Sequence, residues 1–289
     1  MEAGAAYGPA YQVQVRQLRS CAAAGRQTVG TGLYFVYLFF IERSKIKCML
    51  QVAMNGSRHI GDSVYLPAGV QAIAADAAAA VTAGACSVHV HIRDRLGEET
   101  LSAPDVGGQL EAIRQAVPGV PVGISTGAWI VPDVTERLAC IAAWEVLPDF
   151  VSVNFDEDGH EAVAHAVLQK GIGIEAGINS VYAAKQLIRS GLLSQCFRIL
   201  LEPPAAELPA ALALVTALEE LLLPLPETGQ VVLLHGVDHT SWPLLELAYA
   251  KGYQSRIGLE DTLYLPGGIL GSNAEMVSQG IAIAQRKHR

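Results

Sequence analysis

The chain has 289 residues, 51% of them hydrophobic, 17% charged and 6% aromatic, with a formal net charge of −8. That profile excludes a disordered chain and describes a soluble globular protein with a large aliphatic core. The acidic balance, with no basic stripe to offset it, excludes a nucleic-acid partner but leaves anionic small molecules open to a locally positive pocket.

Residues 1–48 are unlike the remainder of the chain. Positions 4–32 are rich in Ala, Gly and Gln without a sustained period, and 33–41 form a dense apolar run. The run is far shorter than the roughly 20 residues of a membrane span, so no membrane partner is expected. It also lies late for a signal sequence and is succeeded by 42–47, charged rather than small-residue in character. Two readings stand: an extension upstream of the true start, or an N-terminal helix packed on the domain formed by 49–289.

From residue 49 short apolar runs alternate with helical periods. Strands are expected at 50–54, 87–92, 120–125, 150–154, 171–175, 197–201, 231–235 and 255–260. Helices are expected at 69–83, 103–117, 133–144, 159–169, 180–190, 205–223, 241–251 and 273–285. Ser102 stands as the N-cap of the second helix, with Pro104 in its first turn, and Gly84, Gly171, Gly191 and Gly252 fall where helices should stop. Eight strand–helix units fit a closed (β/α)8 TIM barrel, which takes about 250 residues. An open doubly wound sheet needs a Gly-rich first turn, and Asn55-Gly56-Ser57-Arg58 is not one. The five cysteines (Cys21, Cys48, Cys86, Cys140 and Cys196) are odd in number and lack CxxC spacing, which reads as free thiols in a reducing cytoplasm.

Parallel strands buried on both faces should be almost wholly apolar. These end in polar groups: Asn55, His91, Ser125, Asn154, Glu175, Glu202, His235 and Glu260. In a barrel that rim is where chemistry is built. His89 and His91, at i and i+2 of one strand, share a face, either as nitrogen ligands for a zinc ion or as satisfied core histidines. Closure places the eighth strand near the second, with the first between them. Glu260 can then be a third ligand, or a cap for the following loop, and Asp261 a cap for the next helix. Arg256 shares the face of Glu260 and can orient a carboxylate. His160 and His165 read as solvated helix residues, Asp238 and His239 as caps or groups behind the site, and Trp129 and Trp242 as pocket walls or loop packing.

These pieces resemble the β-keto acid cleavage enzymes, the 3-keto-5-aminohexanoate cleavage enzyme-like family. The matching motifs are Asn55-Gly56, Gly84-Ala85, His89-Val90-His91-Ile92-Arg93-Asp94, Ile124-Ser125-Thr126-Gly127, Ser152-Val153-Asn154 and Arg256-Ile257-Gly258-Leu259-Glu260-Asp261, in family order from residue 49 to the C-terminus. The resemblance implies a zinc-bound, homo-tetrameric barrel. Its reaction would condense a β-keto acid with acetyl-CoA and cleave it by a retro-Claisen route to acetoacetate and a new acyl-CoA. It implies His89, His91 and Glu260 as metal ligands, Asp261 as acid–base, Arg256 as its partner, and Ser125 and Ser152 as substrate contacts. Asn55, Arg58, Thr126, Gly127, Asn154 and Glu175 are further substrate-binding candidates. The chemistry agrees: a β-keto acid chelates a metal through carboxylate and keto oxygens, a carboxylate removes the proton between them, and a hydroxyl stabilises oxyanion charge.

Two departures bear on the substrate. The aminohexanoate enzyme's glutamate after the first strand becomes Arg58, and a second glutamate beyond the fifth strand becomes Gly177, which implies a substrate without an amine. Arg58 would meet an anionic or polar tail, or pair with a rim carboxylate. The alternatives of function are a zinc-dependent aldolase or hydrolase without CoA, and a barrel that binds metal or metabolite without turnover.

Overall fold

A computed structural model describes residues 50–204, 207–224 and 231–287; the expectations for 1–48 lie outside them. Strands β1 (Leu50–Ala53), β2 (Ser87–Val90), β3 (Val122–Ser125), β4 (Phe150–Asn154), β5 (Gly173–Ile178), β6 (Arg198–Leu201), β7 (Val231–Leu234) and β8 (Ser255–Ile257) alternate with eight helices. These are α1 (Val70–Thr82), α2 (Ala103–Ala116), α3 (Val134–Ala143), α4 (His160–Gln169), α5 (Val181–Ser190), α6 (Leu208–Leu222), α7 (Ser241–Lys251) and α8 (Asn273–Lys287). The strands form one parallel sheet in the order β7-β6-β5-β4-β3-β2-β1-β8. A bridge from Leu233 to Gln254 and the bond from Leu234 N–H to Gln254 O (3.0 Å) join its ends. The fold is a (β/α)8 barrel, with β1 flanked by β2 and β8.

Local chemistry sets the helix ends. Asp133 accepts the Glu136 N–H at the start of α3, and Ser180 accepts the Ala183 N–H at the start of α5, each satisfying an amide that has no intrahelical partner. Ser102 does occupy the N-cap of α2, but its hydroxyl donates to Asp105 (2.6 Å) instead of accepting from the backbone. Apolar stripes such as Val163, Ala164 and Val167 of α4 face the sheet and join the core. Among the described residues no helix is long and apolar enough to cross a membrane.

Among the strand limits that differ from expectation, those of β2, β8 and β5 bear on the site. β2 stops at Val90 and β8 at Ile257, so His91 and Glu260 stand in the loops beyond them. β5 begins at Gly173 and runs to Ile178, because Gly171 belongs to the stop of α4 and Ser180 already caps α5. Glu175 is therefore in mid-strand and not at the rim.

The barrel interior also departs from the expected apolar content. Gln51, Ser87, Glu175, Arg198 and Arg256 are all buried. The Glu175 carboxylate accepts from Gln51 Nε2 (3.0 Å) and from the Arg198 guanidinium, which lies over the Phe150 and Phe197 rings, 5.6 and 4.8 Å from their centroids. Phe150 has room because Gly123 has no side chain; a Cβ there would come within 1.9 Å of the ring. Glu175→Ala, which strands a buried guanidinium, is expected to destabilise the fold by about 3–5 kcal/mol. Urea unfolding measures this, and a loss below about 1 kcal/mol would remove the pair from the stability account.

Cys140 and Cys196 are free thiols. Cys86 is disulfide-bonded, contrary to the expectation of free thiols throughout. Spacing along the chain says nothing about cysteines that the fold brings together.

Candidate active site

The barrel's loop-bearing rim holds a pocket of about 190 Å³. His89, His91, Glu260 and Arg256 line it, and so do Ser125, Ser152 and Asn154 among the residues singled out by sequence. Ser57, Trp129, Leu200 and Glu202 complete the wall.

His89 and His91 present their Nε2 atoms to Glu260, at 3.6 Å from Oε2 and 3.6 Å from Oε1 respectively. Such gaps are too long for hydrogen bonds. They are near the roughly 3.3–3.5 Å that separates two ligands of one tetrahedral ion at about 2.0–2.1 Å. All three ligand atoms lie within 4.8 Å of one another, and Glu260 Oε2 is buried without a hydrogen-bond partner. This donor set fits a divalent metal.

Glu260 does not arrive by strand parity. After β8 the chain turns, with Asp261 and Thr262 N–H both bonded to Gly258 O and Glu260 N–H to Ala53 O. Gly258 permits that turn: a Cβ there would meet Ala53 O at 2.0 Å. On the facing loop Gly56 adopts φ +54°, and a Cβ would press on Glu260 Cγ at 2.5 Å. Gly56 therefore makes room for the Glu260 side chain, and Gly258 lets the turn that carries it pack against Ala53.

The electrostatics differ between the two histidines. Burial holds His89 down at about 3, with Arg256 and His91 adding to it against Glu260. Burial also pulls His91 down, but the Glu260 and Glu99 carboxylates outweigh it and push it up to about 9. Glu260 is resisted by burial, yet Arg256 and the two imidazoles hold it well below the usual carboxylate range.

Glu99, which the sequence reading missed, bonds His91 Nδ1 and accepts from Trp129 Nε1 (3.1 Å). Trp129 stacks on the His91 ring at 6.1 Å between centroids, so it walls the pocket. Motif residues deliver Glu99. Asp94 Oδ1 accepts the Leu96 and Glu98 N–H groups, and Arg93 pairs with Glu99 across the resulting hairpin. The Arg93 guanidinium donates to the Gly97, Gly56 and Arg58 carbonyls, tying the hairpin to the loop after β1. The sequence signal was the Asp94…Gly97 turn, which returns the chain to the rim. Trp242, in contrast, packs a loop through its bond to Tyr264 O.

Asp261 stands behind the wall. Its Oδ1 accepts from Arg256 Nη2 (2.8 Å) and lies 3.2 Å from His235 Nδ1, while Oδ2 is buried and unpartnered. Arg256 Nη2 also donates to Glu260 Oε1 (2.7 Å), so one guanidinium orients both acids. Burial and Arg256 act to lower His235, but Asp261 and Glu202 on either side raise it above its ordinary value.

Other predicted residues serve as supports. Asn55 uses both ends of its amide on the His91 backbone, at 2.9 Å each. Thr126 donates to Ser152 O (2.7 Å), and the Ser125 hydroxyl accepts the Gly127 N–H. Gly127 lies under Trp129, whose ring would be 2.2 Å from a Cβ. Arg58 bonds Asp238 Oδ1 (3.1 Å) and Leu259 O and does not line the pocket. Glu175, held by Arg198, does not line it either. His165 is exposed as read from sequence, whereas His160 is half-buried against Phe155 and bonded to Glu157 O.

Comparison with known proteins agrees with this site. The chain is 26% identical over 237 residues to the 3-keto-5-aminohexanoate cleavage enzyme of Fusobacterium nucleatum subsp. nucleatum, an alignment covering 78% of this chain and 86% of that one. It is similar in fold to the apo structure of ObcA, with a TM-score of 0.61 and 16% identity, spanning 78% of this chain and 63% of that protein. Residues 47–289 match the family model for β-keto acid cleavage enzymes, and the chain belongs to that family.

Proposed function

We propose that the protein is a zinc-dependent enzyme that condenses a β-keto acid with acetyl-CoA and, by retro-Claisen cleavage, releases acetoacetate and a new acyl-CoA. The observation that carries this is the His89–His91–Glu260 cluster opening on a rim pocket with Arg256 and Asp261 at its back. Zinc bound there would supply a Lewis acid for the carboxylate and keto oxygens of the substrate. Asp261 is our assignment for the base that removes the proton between those groups. Since it sits behind Arg256, its free Oδ2 takes the proton through one bridging water or hydroxyl. Arg256 keeps Glu260 ionised and bridges it to Asp261. Ser125, with its hydroxyl on the pocket wall, donates to the developing oxyanion. Ser152 and Asn154 position the acid, and Thr126 and Gly127 fix that wall.

A panel of β-keto acids incubated with acetyl-CoA and the zinc-loaded protein tests the assignment. Acetoacetate and a new thioester should form from at least one acid and only when acetyl-CoA is present. Cleavage that proceeds without CoA would replace this reading with an aldolase or hydrolase.

Glu99 belongs to the same reading. By accepting the His91 Nδ1–H it fixes the tautomer that turns Nε2 to the ion. Glu99→Gln is expected to weaken zinc affinity by about 10–100-fold, measured by competition with a chromophoric chelator. An unchanged affinity would restrict Glu99 to holding Trp129.

A further inference from the structure

Two acceptors in the pocket converge on one point. Gly177 lacks a side chain, and the place its Cβ would take is 2.4 Å from Asn154 Oδ1 and 2.5 Å from Glu202 Oε1. Both residues line the pocket. Asn154 spends its amide donor on Glu157 Oε1 (2.7 Å), and Glu157 is itself held by the Ala128 N–H (2.8 Å), so the carbonyl end is locked toward Gly177. Glu202 has its other oxygen 3.5 Å from His235 Nε2. No donor among the described residues is bonded to Asn154 Oδ1 or Glu202 Oε1. Two acceptor oxygens that border the same empty space, neither bonded to a donor, leave a place there for the hydrogen-bond donor of a ligand.

Their place in the ring says what that donor belongs to. Asn154 ends β4 and Glu202 comes directly after β6, the two neighbours of β5. The metal-ligating cluster comes from the two neighbours of β1. In an eight-strand ring β5 is opposite β1, so the acceptor pair faces the cluster across the pocket. An acid gripped at the cluster by its carboxylate and keto oxygens sends the rest of its chain toward Asn154 and Glu202.

We propose that Asn154 Oδ1 and Glu202 Oε1 form the site for the tail of the β-keto acid, and that this tail carries a hydrogen-bond donor, an ammonium or a hydroxyl. The proposal rests on the proposed cleavage reaction for the head of the substrate. It departs from the sequence expectation of a substrate without an amine. The resemblance to the aminohexanoate enzyme puts a glutamate where Gly177 stands, but Glu202, directly after β6, brings an acid to the edge of the room that Gly177 leaves. Arg58, the group expected to meet an anionic tail, is engaged with Asp238 away from the pocket.

Four β-keto acids of one chain length, ending in ammonium, hydroxyl, methyl or carboxylate, test this on the zinc-loaded enzyme with acetyl-CoA. The donor-bearing acids should exceed the methyl acid in kcat/KM by about 10–100-fold, with the carboxylate acid last. The ammonium and hydroxyl arms separate a cationic tail from a neutral one. Glu202→Leu should invert the ratio of donor to methyl tails. If that variant does not fold, Glu202→Gln, close in shape, should lower the ammonium acid relative to the hydroxyl acid. Equal rates for all four acids, or a preference for methyl or carboxylate, would overturn the tail site and leave the cleavage reaction standing. If no acid is cleaved, calorimetric titration of the zinc-loaded protein decides. Tighter binding of the ammonium or hydroxyl acid than of the methyl acid supports the tail site while the cleavage reading falls; equal binding overturns both.

Discussion

Asp261→Asn is expected to lower kcat for β-keto acid cleavage by about 10²–10⁴-fold while the protein still takes up one equivalent of zinc. The substitution keeps the size of a side chain that is fully enclosed, so packing is conserved. It removes a buried, unpartnered carboxylate oxygen next to Arg256 and puts a neutral amide where a base is required. The direct measurement is loss of the proton between the carboxylate and keto groups, tracked by NMR in D₂O without acetyl-CoA. Wild type should exchange it, and the variant should exchange it slower by a factor similar to the loss in kcat. Exchange and kcat within tenfold of wild type would move the base elsewhere on the pocket wall.

His89→Ala is expected to abolish stoichiometric zinc binding and with it the cleavage activity. Two ligands, His91 and Glu260, would remain of three, and no other His, Cys, Asp or Glu joins the cluster among the described residues. Elemental analysis after dialysis should find close to one zinc per wild-type chain and almost none per variant. Stability gives an independent readout, because an ion that binds only the folded state raises the melting temperature by mass action. A chelator should lower the Tm of wild type and leave that of His89→Ala unmoved. A wild-type Tm indifferent to chelator, together with no bound metal, would sink the metal assignment.

Much of the fold and site is legible in the sequence, and the failures share a cause. Alternation of strand and helix points to the barrel, since each signal is local in the chain. The i, i+2 spacing of His89 and His91 points to a shared face for the same reason. Glu260 is placed correctly near them by a partly wrong route. Parity along β8 does not operate beyond Ile257, and a turn built on Gly258 brings the carboxylate in instead. Glu99 escapes notice because a hairpin, not a strand end, carries it to His91. Glu175 is misplaced when Gly171 is assigned to a strand as well as to a helix stop. Partners far apart in sequence, such as Glu175 with Arg198 or Arg58 with Asp238, leave no periodic trace. The meeting of Asn154 and Glu202 at the space beside Gly177 is of that kind too.

The seam at β1 also orders events in time. A ribosome exposes His89 and His91 early, but the ring closes only when β8 lies down beside β1, and Glu260 arrives just after that strand. A nascent chain that has not yet reached residue 260 therefore offers an ion two imidazoles and no carboxylate, on a sheet whose edge is still open. Metal uptake at the proposed site would be confined to finished chains, where it would fasten the first quarter of the barrel to the last at the point where the two were joined.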